Sequence, residues 1–138
     1  MQYLGGKRTH SLGKKIADTI APKGLWFEAF AGGLSVSVEL ARYGPGIVMD
    51  IHPGLIALYQ ACMLGYVPPL NVTKEEYHAA KALPDSDPLK AFIGFACSFG
   101  GKWFGGYAKD NPSKHIQVPH GSLGDRLMVG RRVLAPLI

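Results

Sequence analysis

The chain has 138 residues, 47% of them hydrophobic, so it is long enough and apolar enough for one ordinary domain with a real core, and wholesale disorder is excluded. No apolar run approaches the roughly 20 residues of a membrane helix, and the opening residues lack the apolar stretch of a secretory signal, so a cytoplasmic protein with no membrane partner is expected. The formal charge is +5 and is unevenly spread: residues 1–23 carry five Lys/Arg against one acid, residues 101–138 six against two, and residues 24–100 four against seven. Basic ends around an acidic centre suit a polyanion such as DNA, through counterion release, although a merely solvated basic surface has the same composition.

In chain order, Leu12, Ile16 and Ile20 fall at helical spacing, which predicts a helix over 11–20 with Ser11 as its N-cap, ended by Pro22 and Gly24. Leu25 to Phe30 is a short apolar and aromatic run that predicts a buried strand. Residues 34–43 predict a helix stopped by "GPG" at 44–46, and Ile47 to Asp50 a second buried strand. Leu55, Ile56, Tyr59, Cys62 and Met63 line one face of a third helix ending at Gly65. Thr73 and Glu76 form a capping box that opens a helix of about ten residues. Leu89, Phe92, Ile93, Ala96 and Cys97 mark another. After Ser98 the periodicity gives way to glycine, aromatic and basic residues. A β-α-β unit flanked by helices predicts an α/β fold with a parallel sheet covered on both faces. Cys62 and Cys97 stand apart in apolar surroundings and are expected as reduced core thiols.

Three stretches carry chemistry. "AGGLS" follows a strand and opens a helix, where glycines let backbone N–H groups approach a ligand, although a plain tight turn needs the same residues. Asp50, at the end of the next strand, is placed to accept hydrogen bonds from the two ribose hydroxyls of an adenosine moiety, with a simple cap of the helix starting near Pro53 as the plain alternative; together the turn and the acid favour an adenosine-containing ligand. "YLGGKR" at 3–8 sets Lys7 beside two glycines, as a folded-back contact or as a solvated arm. "SFGGKWFGGYAK" at 98–109 interleaves aromatics with lysines, a pattern that stacks on bases while its charges meet phosphates, or one whose rings cover the core. Its four glycines exclude a stable helix or a central strand. The histidines show no metal-ligand spacing, and no nucleophilic triad stands out.

Together these segments resemble the DNA adenine-N6 methyltransferases of the bacterial DNA adenine methylase type, particularly phage-borne members. "YLGGK" resembles that family's N-terminal S-adenosylmethionine segment. "FEAFAGGLSV" resembles its cofactor loop, F-x-E-P-F-x-G-x-G-S-V, and "DIHPGLIALY" its D-I-N-x-x-L-I-x-L-Y, whose aspartate binds the cofactor ribose. "FACSFGGKWFGGYA" is similar to a segment ahead of the catalytic motif. The resemblance spans nearly the whole chain. It implies a partial Rossmann-like methyltransferase fold in one domain, with a cofactor-side α/β part at 1–97 and a glycine, aromatic and basic segment at 98–138. The cofactor contacts it implies are Tyr3, Lys7, Glu28, Phe30, Gly32, Gly33, Ser35, Asp50 and Ile51. Nucleic-acid contacts are expected at Lys102, Trp103, Tyr107, Lys109, Arg126 and Arg131.

The chain departs from the family pattern in two places. Ala29 stands where the family has proline and Leu34 where it usually has glycine, and a side chain there weakens or blocks the cofactor through a clash or a positive-φ requirement. The family's catalytic Asp-Pro-Pro-Tyr is absent: "YVPPL" at 66–70 lacks the acid and the aromatic, and "DNPS" at 110–113 has a single proline. The expected protein is therefore methyltransferase-like and not catalytic by itself, with no catalytic residues to assign. It would pair with DNA, a nucleic-acid-associated protein, a second copy or a complementary chain, because the sheet of this part has an exposed apolar edge. A non-catalytic interaction protein, such as a phage-encoded inhibitor of a host nucleic-acid enzyme, is the alternative, and a truncation of an active enzyme a third.

Overall fold

The computed structural model describes residues 11–109 and the backbone of 127–131. The order is α1 (Leu12–Ile20), β1 (Trp26–Glu28), α2 (Ser37–Leu40), β2 (Gly46–Asp50), α3 (Pro53–Met63), α4 (Lys74–Ala80), α5 (Pro88–Ala96), a 3-10 turn at Phe99–Gly101, and β3 (Leu127–Arg131). The three strands form a parallel sheet in the order β1-β2-β3, with Trp26 opposite Gly46 and Asp50 opposite Arg131. The chain is thus mixed α/β with a parallel sheet. Among the described residues, no helix is long and apolar enough to cross a membrane.

The described residues do not cover the sheet evenly on its two faces. Along β2, Gly46, Val48 and Asp50 are buried while Ile47 and Met49 are half-buried; in β1, Trp26 is buried but Phe27 is 61% exposed. The expected buried strand over Leu25 to Phe30 is therefore corrected twice: it is three residues long, and only its Trp26 side faces the core. The reason lies in the topology. Right-handed crossovers that advance in one direction across a sheet place their helices on the same face. Accordingly α2 and α3 pack on the sheet, α1 packs on α2, α5 on α3 and α4 on α5.

Caps explain most element boundaries. At α4 the Thr73 hydroxyl accepts the Glu76 N–H while the Glu76 carboxylate accepts the Thr73 N–H at 2.7 Å, the expected capping box, though the helix runs seven residues rather than about ten. α5 starts on Asp87, whose carboxylate accepts the Leu89 N–H at 2.9 Å, with Pro88 at the first helical position. Ser11, by contrast, holds the N-cap position of α1 as expected but is left-handed (φ 57°) and makes no side-chain cap bond. The helix expected over 34–43 shrinks to four residues, because Leu34 is itself left-handed (φ 64°) and its N–H closes a turn onto Ala31 O at 2.8 Å. Asp18 ties α1 to the end of α2. It accepts from Lys14, from Arg42 at 3.1 Å and from the Tyr43 hydroxyl at 2.7 Å, and these partners hold its carboxyl down at about 2.

The fully buried side chains include Leu34, Val48, Leu55, Leu58, Tyr59, Tyr77 and Phe92. Cys62 and Cys97 are free, buried thiols, pushed up by desolvation to about 11 and about 12. The 98–109 segment folds back on α5. Phe104 N–H donates to Gly94 O at 2.9 Å, Ala108 N–H to Cys97 O at 2.9 Å, and Ser98 forms an antiparallel bridge with Tyr107. Trp103 and Phe104 lie so close to α5 that a Cβ at Gly94 would fall 2.5 Å from the indole. The hydroxyls of Tyr77 and Ser98 bond each other at 2.8 Å, and Ser98 donates on to Gly94 O at 2.7 Å, so the underside of the segment is pinned.

Candidate functional site

The turn after β1 and the end of β2 meet at the carboxyl edge of the sheet. Asp50, 7% exposed, accepts the Gly32 N–H through Oδ2 at 2.9 Å and the His52 N–H through Oδ1 at 2.9 Å. The buried Tyr59 hydroxyl, on α3, donates to Gly32 O, and Ala31 N–H reaches across to Met49 O at 2.9 Å. Gly32 takes φ 47°, a backbone that favours glycine. Both polar groups of Gly32 are therefore satisfied inside the protein. Asp50 joins the two strand ends rather than standing free, and it braces α3 through His52 while the helix's N-cap is His52 itself, whose Nδ1 accepts the Leu55 N–H at 3.4 Å.

A carboxylate has about four lone-pair directions, and N–H donors among the described residues take two of them, one on each oxygen. Phe30, two residues past β1, and Ile51, next after Asp50, are 70% and 47% exposed. Gly33 is buried, and Glu28 is half-buried with its carboxylate accepting the Ser37 hydroxyl. The Ser35 Oγ is buried with no hydrogen-bond partner among the described residues. Glu28, Phe30, Gly32, Gly33, Ser35, Asp50 and Ile51 thus lie on the two segments that meet at this edge. Tyr3, Lys7 and Arg126 lie outside the described residues. Arg131 is described only as backbone, at the register position opposite Asp50.

The nucleic-acid candidates divide. Lys102 and Lys109 are exposed. Trp103 is half-buried and packs edge-on against His52 (4.5 Å between centroids) and Phe104 (4.8 Å), and tilted on Phe95 (4.7 Å). Tyr107 donates its hydroxyl to Val72 O at 3.0 Å. Both rings are engaged with the protein, and the strongly exposed ring of this stretch is Phe99. His52 links the two regions: its N–H meets Asp50 and its ring meets Trp103. Desolvation lowers its pKa against the opposing charges of Asp50 and Asp85.

Sequence reasoning misses the parts of Tyr59 and His52. By spacing, Tyr59 belongs to an apolar helix face; its signal is a hydroxyl on that face, which when buried needs a partner. Among the described residues no group of three His, Cys, Asp or Glu is arranged to hold a metal. A separate apolar cavity of about 410 Å³, walled by Val67, Pro69, Val72, Ala80, Leu83 and Ile93, shares no residue with the Asp50 turn.

Leu34 has the positive φ that its position in the loop demands, and it is also fully buried. Truncating a buried leucine to alanine costs about 2–5 kcal/mol, whereas strain at a positive φ is worth about 1 kcal/mol. Packing therefore wins, and both Leu34→Gly and Leu34→Ala are destabilised. Their order is inverted, however: glycine relieves the backbone and alanine does not, so Leu34→Gly is the more stable by about 1 kcal/mol. Denaturant midpoints of the two variants check this directly.

No protein-family model matches the chain, and a search of curated proteins found no match.

Proposed function

We propose that the chain binds S-adenosylmethionine at the Gly32–Asp50 turn, as the cofactor side of a Rossmann-like, DNA adenine-N6 methyltransferase-like protein that does not transfer the methyl group by itself. The observation that carries this reading is the meeting of a glycine turn after β1 with an acid at the end of β2, at the carboxyl edge of parallel strands ordered 1-2-3. Doubly wound folds bind nucleotides at that edge, with the acid on the ribose. Here Asp50 would accept the ribose hydroxyls, and Phe30 and Ile51 would flank the base. The absence of Asp-Pro-Pro-Tyr from the sequence is why no transfer step is assigned.

One observation favours the second reading, a non-catalytic interaction protein derived from such a fold. The Gly32 peptide is fully used by Asp50 and Tyr59, so the turn holds together without a ligand. Titration calorimetry with S-adenosylmethionine separates the two. The cofactor reading expects saturable binding that Ile51→Asp, an exposed and structurally tolerant change, weakens at least tenfold. No heat at millimolar ligand, with the protein folded, leaves the interaction reading. Methylation of adenine in DNA by the purified chain would overturn the claim that it is not catalytic alone.

A further inference from the structure

The outer side of β1 points to a self-association surface, independent of what the turn binds. In a parallel ladder alternate residues turn their peptide groups toward the neighbouring strand. Trp26 is paired with Gly46 and donates its N–H to Pro45 O at 3.4 Å, so Trp26 and Glu28 face β2 and the N–H and C=O of Phe27 face away from it. The Phe27 ring is 61% exposed on the sheet face that α2 and α3 do not cover, beside the half-buried Ile47 and Met49. Leu25, on the same side of the strand by alternation, is also exposed. Among the described residues β1 is the edge of the sheet, and an outward peptide group with an exposed aromatic there is the arrangement that pairs with another strand.

We propose that a second copy of this chain occupies that edge, through an antiparallel β1–β1 pairing on a twofold axis at Phe27. The charge and register of the strand select this occupant. Centred on Phe27, the two copies exchange Phe27 N–H to Phe27 C=O bonds in both directions, using the only residue of the strand whose peptide groups point outward. Trp26 then stands opposite Glu28 of the other copy, and no carboxylate faces a carboxylate. Centred on Glu28 instead, two like charges would oppose each other, and the peptide groups required are already turned toward β2. On the face opposite α2 and α3 the Phe27 rings become neighbours, flanked by Leu25 of one copy and Ala29 of the other, an uncharged patch that is complementary to itself. The result is a continuous sheet, β3-β2-β1-β1-β2-β3, in which the two Asp50 turns lie at opposite ends because the central strands run in opposite directions.

The test is the mass of the folded chain in solution, by sedimentation or light scattering, over a range of concentration reaching the millimolar. The expected result is a monomer–dimer equilibrium that Phe27→Asp shifts to monomer and Phe27→Tyr leaves in place. Phe27 is exposed, so the aspartate variant is expected to keep the wild-type circular dichroism. Should it misfold, hydrogen exchange of the wild type decides: the Phe27 amide must gain protection with concentration, while the inward-facing Trp26 and Glu28 amides change far less. A monomer at every concentration, a dimer that survives Phe27→Asp in folded protein, growth beyond the dimer, or Phe27 exchange indifferent to concentration each overturns the proposal. Dimer formation with no S-adenosylmethionine binding would leave it standing while removing the cofactor reading.

Discussion

Gly46→Ala is expected to destabilise the protein by about 2–4 kcal/mol, its upper end close to the largest effect available to a single added methyl group. Gly46 opens β2 opposite Trp26, and a Cβ there would lie 2.1–2.2 Å from three atoms of the indole. The indole cannot easily move aside. It is 6% exposed, and its Nε1–H donates to Gly44 O at 2.9 Å, so any slide that clears the methyl gives up that bond as well. Overpacking of this kind costs about 1–3 kcal/mol, and a lost hydrogen bond adds about 1 kcal/mol. For a domain of this size the melting temperature should fall by about 10 °C. Gly24→Ala is the control: nothing lies within 4 Å of its added Cβ, so its denaturation midpoint should barely move. A wild-type midpoint for Gly46→Ala would mean that the Trp26 ring does not sit against β2.

The same glycine shows why parts of this fold are readable from sequence and others are not. "GPG" at 44–46 is legible as a stop, because proline and glycine act locally; the need for glycine opposite an indole twenty residues earlier is not. The Thr73–Glu76 box and the apolar faces of α3 and α5 are likewise set by neighbours within one or two turns, and those helices form where expected, although α4 is shorter at seven residues. Leu34 misleads because its apolar side chain fits a helical period while its backbone is left-handed. Phe27 looks like core because an apolar strand does not reveal on which faces the crossovers will lay their helices; that depends on strand order. At the candidate site, the glycine turn and Asp50 are visible as a pair through the β-α-β grammar. That they bond each other, and that Tyr59 closes the turn from 27 residues away, are facts of tertiary packing. The aromatic segment admits two readings, and Gly94 decides where two of its rings rest, since only a residue without a Cβ lets Trp103 and Phe104 lie against α5.

Asp50→Ala should be the most informative single change, with an expected loss of about 3 kcal/mol. The carboxylate is 7% exposed, and each oxygen accepts one backbone N–H, from Gly32 and from His52. Hydrogen bonds to a charged group are worth about 1.5–3 kcal/mol each, and a buried N–H left without a partner costs about 1–3 kcal/mol. Removing the buried charge returns part of that sum, because its desolvation is no longer required, and the net falls near the lower end of the total. Asp50→Asn keeps one acceptor but turns its amide donors toward the other N–H, so it should fall between alanine and wild type. The damage should also travel. His52 loses the bond that fixes its backbone, and its ring packs 4.5 Å from Trp103, so the tryptophan emission of the folded variant should shift toward the red. Tyr59→Phe removes the other bond to Gly32, and because both partners hold one peptide unit their effects should not add. A double-mutant cycle with a coupling of about 1 kcal/mol would establish that Asp50 and Tyr59 act as a single clamp on the turn; strictly additive losses, or an unshifted emission in Asp50→Ala, would show that Asp50 merely occupies the strand end and that the turn is held by something else.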